Sequence, residues 1–166
     1  MLLLILVAPM LRAEEMPAVE AMKNVAWLAG TWEGSGWISM RGEKTTFNQR
    51  EVVALQAGGL VLSVQGRGTS SEGGKVVHDA FAVLDYDAAA KRYRWHAWRA
   101  GGGDLTTEPE VGDGRLVWGM TTPQGKVRYT ITRTAEGAWF EIGEFSRDGQ
   151  QWAKFFEMTL ERTGGK

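Results

Sequence analysis

Beyond Gly30 the chain loses any helical rhythm. From there to its end, runs of about five to ten residues rich in Val, Thr and aromatic side chains alternate with clusters of Gly, Asp and Pro, the rhythm of an all-β sandwich or barrel. Ten strands are predicted, near 31–40, 45–55, 59–67, 75–85, 92–100, 104–111, 114–121, 126–134, 138–146 and 151–162. The intervening turns carry their own chemistry, clearest at Arg147-Asp148-Gly149-Gln150, because Asp-Gly readily takes the positive φ of a tight hairpin. The one helical stretch expected is Pro17 to Leu28, with Pro17 in its first turn and Val19, Met22 and Ala26 on one face.

The strands are apolar on one side only. In the eighth, Val127, Tyr129 and Ile131 oppose Arg128, Thr130 and Thr132. In the last, Trp152, Lys154, Phe156, Met158, Leu160 and Arg162 share a face by alternation. With almost no helix to cover them, such faces must be buried against each other, and closing the sheet also removes its edges. The expected fold is therefore all-β, a single antiparallel up-and-down β-barrel of about ten strands with a short N-terminal helix closing one end. The 166 residues suit one domain, and the 8 Trp and 22 Gly suit short strands around a filled interior. The absence of Cys excludes disulfides, thiolate metal sites and thiol nucleophiles. A net charge of -1 without a basic tract argues against nucleic acid as a partner, and none is expected.

Residues 1–13 form a short apolar run ending at Ala13, followed by acidic residues. The run is too short to span a membrane, which takes about 20 apolar residues. It is read as a secretory signal cleaved after Ala13, leaving 14–166 as a barrel in the periplasm or medium with no stable membrane insertion; the competing reading is a buried N-terminal helix.

Trp27-Leu28-Ala29-Gly30-Thr31-Trp32-Glu33-Gly34-Ser35-Gly36 resembles the opening of lipocalin-like, or calycin, barrels, which enter a Gly-x-Trp strand from a short helix. It resembles more closely the bacterial secreted barrels related to nitrobindin. Asp85-Tyr86-Asp87 through Lys91-Arg92-Tyr93 resembles a recurring turn of that group, and Glu144 through Trp152 its penultimate hairpin. The resemblance implies that a basic side chain of the last strand, here Arg162, covers the first-strand Trp32 and closes one end. It also raises haem, which nitrobindin holds through a His near the C-terminal end of its barrel. This chain has no His after His96, so the resemblance does not carry haem over, and no cofactor is expected.

Other chemistry is sparse. Gly68 to Lys75 fails as a phosphate loop because the Lys is displaced and a hairpin replaces the helix. Asp85 and Asp87 lack the further ligands of a calcium loop. His78 shares a face with Ala80, Ala82 and Leu84 and is the better of the two His for the interior, although a structural, hydrogen-bonded role suits either. Lys154 falls on the apolar face of the last strand. A two-residue turn before it would set Glu141 on that face and a longer loop Glu144, either pairing with Lys154 inside the barrel; a salt bridge at the rim is the alternative. No linked nucleophile and base are visible. The leading expectation is a barrel that binds a small, largely apolar molecule non-covalently, walled by Trp95, Trp139, Phe156 and Met158 with His78 or Lys154 as polar contacts. The alternatives are a haem-binding or hydrolytic barrel enzyme and a ligand-free structural or partner-binding barrel.

Overall fold

The computed structural model describes the backbone of residues 11–164 and the side chains from Pro17 onward. Most of the expected signal segment, residues 1–10, lies outside the described residues. Helix α1 (Leu11–Met22) runs into a 3₁₀ helix (Lys23–Leu28). Pro17 thus lies within α1 rather than in its first turn. The last turn tightens to 3₁₀ geometry before the chain becomes extended at Ala29.

Eleven strands follow: β1 (Gly30–Met40), β2 (Glu43–Gln56), β3 (Val61–Ser70), β4 (Val76–Asp87), β5 (Arg92–Arg99), β6 (Asp104–Thr107), β7 (Glu110–Gly112), β8 (Arg115–Thr122), β9 (Gly125–Arg133), β10 (Trp139–Ser146) and β11 (Ala153–Gly164). They form one antiparallel sheet in the order β6-β5-β4-β3-β2-β1-β11-β10-β9-β8-β7. The chain meanders throughout, and only the β1–β11 pair joins strands far apart in sequence. The all-β, up-and-down architecture with a short N-terminal helix is the one expected, with one strand more. The run expected at 104–111 is cut at Pro109, which has no N–H to give a ladder. Its two halves become β6 and β7, the two edges of the sheet, and no ladder joins these edges among the described residues.

The sheet curls until its ends face each other, so that inward rings of β5 and β8 stack across the seam: Trp95 and Trp118 lie 5.8 Å apart. One end is packed shut. Met22, Val25 and Leu28 of the helical segment meet Trp32, Leu62, Leu84, Leu116, Ile131 and Leu160 from six strands, all fully or almost fully buried. Burying side chains of this kind contributes roughly 1.5–3 kcal/mol each, which is why a helix of so few residues holds its place under the barrel.

Candidate functional site

The closed end is organised around Trp32. Its indole Nε1 donates to the carbonyl of Leu28 at 2.7 Å, and its ring meets Trp139 edge-on at 6.0 Å. Arg162 of β11 pairs with Trp32 in register and places its guanidinium 4.1 Å from the ring centre. The same guanidinium donates to the carbonyls of Trp27 and Ala29, tying the last strand to the segment that leads into the first. Gly30, at φ 141°, leaves the space that guanidinium occupies; a Cβ there would collide with it.

Above this floor the inner face changes character. On β2 the inward side chains are Phe47, Gln49, Glu51 and Val53, all buried. Gln49 Nε2 donates to Glu51 Oε1 at 2.6 Å. The Glu51 carboxyl lies flat over Gly66 of β3, where a Cβ would come within 2.6 Å of it. From β10, Glu141 is equally buried and accepts the Trp139 indole N–H at 3.1 Å. Burial pushes Glu51 up to about 7. Burial, with the Glu51 carboxyl nearby, pushes Glu141 up to about 8. Three buried polar atoms among the described residues have no hydrogen-bond partner within the protein: Glu51 Oε2 and the indole Nε1 of Trp95 and of Trp27.

Toward the opposite end lies a row of rings. Phe47 stacks on Phe156 at 5.6 Å, Phe156 meets Tyr129 at 5.8 Å, Tyr129 stacks on Trp118 at 4.4 Å, and Trp118 stacks on Trp95. The row draws on β2, β11, β9, β8 and β5 and so spans the seam. Phe156, Tyr129 and Trp118 are only half-buried, and the interior is therefore accessible at this level. Burial and the Glu141 carboxyl push the Tyr129 phenol up to about 12, and Arg99 opposes them. His78 faces inward beside Gly68, and burial and Arg99 hold it below the usual imidazole value. At the seam, β7 pairs only with Arg115–Val117 and β6 only with Trp95–Trp98. The unpaired lengths leave a groove of about 430 Å³ lined by Leu105–Thr107, Gly119–Thr121, Lys126, Val127 and Trp152.

Of the wall residues expected from sequence, Trp95, Trp139, Phe156, Met158, His78 and Glu141 face inward. Lys154 and Glu144 do not, and the Lys154 pairing expected inside the barrel is corrected accordingly. Register slips between Gly143 and Glu144, so that Gly143 opposes Phe156 but Glu144 opposes Lys154. The extra residue is Phe155, and both Phe155 and Phe156 flank Tyr129. Such a bulge reverses the alternation of the strand beyond it. Lys154 therefore lies outside, bonded to Glu157 at 2.5 Å, while Glu144 accepts Arg128 at 2.7 Å. His96 lies on the outer face, stacked 4.1 Å from Trp98.

Gln49, Glu51, Phe47, Trp118, Tyr129 and Arg99 escaped the sequence reading as site residues. A signal existed for the first two, since alternation from Phe47 to Val53 puts both polar side chains on the apolar face of β2. Among the described residues, no three His, Asp or Glu side chains gather as a metal site would require.

A helix-plugged antiparallel meander, whose first-strand Trp is covered by a last-strand Arg and whose interior is aromatic, has the fold of a lipocalin-like β-barrel. Several solved structures share the fold. Rv2717c from M. tuberculosis superposes with a TM-score of 0.63 at 14% identity, covering 86% of this chain and 97% of that one. The S-type phycobiliprotein lyase CPES from Guillardia theta superposes at 0.60 with 12% identity, covering 96% of this chain and 100% of that one. At such identities the likeness is one of fold. No protein-family model matches the sequence, and no curated protein matches it.

Proposed function

We propose that this barrel binds a small, largely apolar molecule non-covalently in its interior. The observation that carries the reading is the row of five inward rings, part open to solvent, together with two buried atoms, Glu51 Oε2 and Trp95 Nε1, that have no partner within the protein. Buried polar atoms are nearly always bonded, and a bound molecule or a water would complete these two. An aromatic wall with a few fixed polar groups is the usual chemistry of a small-molecule pocket. That one fold neighbour is a phycobiliprotein lyase is compatible with a barrel that handles a ligand. We also propose that the chain acts outside the cytoplasm, on the strength of its leading apolar run, and that it is kin to the nitrobindin-related barrels through Gly30-Thr31-Trp32.

Native mass spectrometry of the protein purified from its own host tests the reading. A bound small molecule is expected, lost on Trp118→Ala and accompanied by quenched Trp emission. Bare protein, together with no quenching by any apolar probe, would overturn it. Hemin provides a separate arm. His78 faces inward and His96 outward, and no His follows them in the strands that would carry a family-style haem ligand, so hemin is expected to give no stoichiometric Soret shift. A stoichiometric shift abolished by His78→Ala would make the chain a haem protein. N-terminal sequencing of the host protein checks export, with Glu14 as the expected first residue.

A further inference from the structure

We infer that the outer face of the sheet carries a second site, which receives a phosphate or sulfate group between Arg50 of β2 and Arg67 of β3. The group belongs to a molecule whose flat ring rests against Phe81 of β4 and Trp98 of β5. This site lies outside the barrel and does not depend on the interior-binding reading.

Alternation places the site. Arg50 lies between buried Gln49 and Glu51 on β2, and Arg67 between buried Gly66 and Gly68 on β3, so both side chains point outward. Register sets Glu33, Arg50, Arg67 and Asp79 opposite one another in a straight row across β1, β2, β3 and β4. All four line one groove of about 740 Å³. Asn48 and Thr69, themselves an opposed pair, line it on one side of the row, and Gln65 lines it on the other. Directly opposed residues of an antiparallel pair have Cβ atoms roughly 4.5–5.5 Å apart, and like charges so placed destabilise the sheet. The acids relieve only one of the two cations. Glu33 accepts the Arg50 Nε–H at 3.0 Å, whereas Arg67 has neither a hydrogen bond nor an ion pair among the described residues, although Asp79 lies opposite it.

An oxyanion between the two guanidiniums turns their repulsion into attraction, because each presents a planar fork of donors that matches its oxygens. A carboxylate has two oxygens, which a single fork takes up. A phosphate or sulfate has enough for both forks, with oxygen left for the amides and hydroxyl of Asn48, Gln65 and Thr69. The row ends in an acid on either side, so a compact anion fits while an extended polyanion meets Glu33 and Asp79. Beside the groove, Gln65 opposes Phe81 and Phe81 opposes Trp98. These two rings stack at 6.1 Å and remain 44% and 42% exposed. Strand spacing and rise put the Cα of Phe81 about 8 Å and that of Trp98 about 12 Å from Arg67. Two rings among charged neighbours are too small for a protein interface, which buries about 800 Å² per partner. They suit one flat ring stacked on them.

The full-length protein is titrated calorimetrically at pH 7.5 with 2-naphthyl phosphate, 2-naphthyl sulfate, inorganic phosphate, long-chain polyphosphate and 2-naphthol. At least one of the two esters is expected to bind, and more tightly than inorganic phosphate. Arg50→Gln and Arg67→Gln, exposed positions whose variants are checked for native circular dichroism, should each weaken the ester about tenfold or more. Trp98→Ala should weaken the ester and leave inorganic phosphate unchanged. Naphthol bound in the interior should be indifferent to Arg67→Gln. Ester binding that survives both Arg variants overturns the site, as does the absence of binding by either ester. Polyphosphate bound more tightly than the ester overturns the compact anion. An ester as tight on Trp98→Ala as on the natural protein overturns the ring platform. None of these results bears on a ligand held inside the barrel.

Discussion

Glu51 and Glu141 make the pH response of this barrel run opposite to that of ordinary surface carboxylates. Both are raised on folding, from 4.5 to about 7 and about 8. A raised group stabilises the fold fully below its unfolded value and loses that contribution as pH climbs through the folded value. Stability should therefore fall between about pH 5 and pH 8, by an amount on the order of a few kcal/mol. His78, lowered by burial, works the other way as pH rises through the imidazole range but is a single, half-buried group. Urea melts at pH 5 and pH 8.5 should show the decline in the natural protein and its near absence in the Glu51→Gln, Glu141→Gln double variant. An equal decline in both would place its origin elsewhere. At the closed end, Trp32→Ala should cost about 3–5 kcal/mol, as for other buried large aromatics. Arg162→Ala should cost about 1–2 kcal/mol through lost stacking and stem packing. Because the guanidinium lies over the ring, the double variant should be less destabilised than the sum of the singles, as contacting residues are not additive. A coupling of zero in melts of the four proteins would mean that the stack contributes nothing to stability.

Strand pairs in this sheet are matched by size across the ladder. Glu51 opposes Gly66, and Gln49 opposes Gly68, so that the long polar side chains of β2 lie down on the bare backbone of β3. Gly66→Ala would bring a Cβ to 2.6 and 2.7 Å from the two Glu51 oxygens. The carboxyl would have to move within a packed interior, at a cost of roughly 1–3 kcal/mol. The same substitution in a Glu51→Ala background should cost far less, and thermal melts of the four combinations read the difference. An undiminished cost would assign the glycine to backbone needs instead. This matching was legible in part, since Gln49 and Glu51 alternate with outward Asn48 and Arg50. The bulge at Phe155 was not. Nothing in Lys154-Phe155-Phe156 marks the extra residue, because two adjacent Phe satisfy either parity and only the pairing partner of β10 decides which is used.

Over the whole molecule the weakest place is the seam. β6 has four residues and β7 three, each paired on one side only, whereas β1, β2 and β11 are long and paired on both sides. Regions with few buried contacts and short ladders open first. Hydrogen exchange read by mass spectrometry should show residues 104–112 exchanging well before those of β1, β2 and β11. Protection at the seam equal to that of β1 would mean that the edges pair in solution and that the groove beside them closes.

The strand meander, the turns and the helical entry could be read from this chain before any coordinates, because each depends on local alternation or on turn chemistry, and the Trp32–Arg162 pair was implied by the resemblance of Trp27 to Gly36 to lipocalin-like barrels. Alternation also assigned Trp95, Trp139, Phe156, Met158 and His78 to the inner face, since these strands keep an unbroken period of two up to those positions. Three things depended on the curled sheet itself. The bulge sent Lys154 outward, because a register slip is a property of two paired strands and not of one. Pro109 turned one expected strand into the two edges of the seam, because what a missing N–H does depends on where the sheet ends. Glu51 and Glu141 came to be buried on one inner face because strands ninety residues apart in sequence curl around the same interior, which no single strand can show.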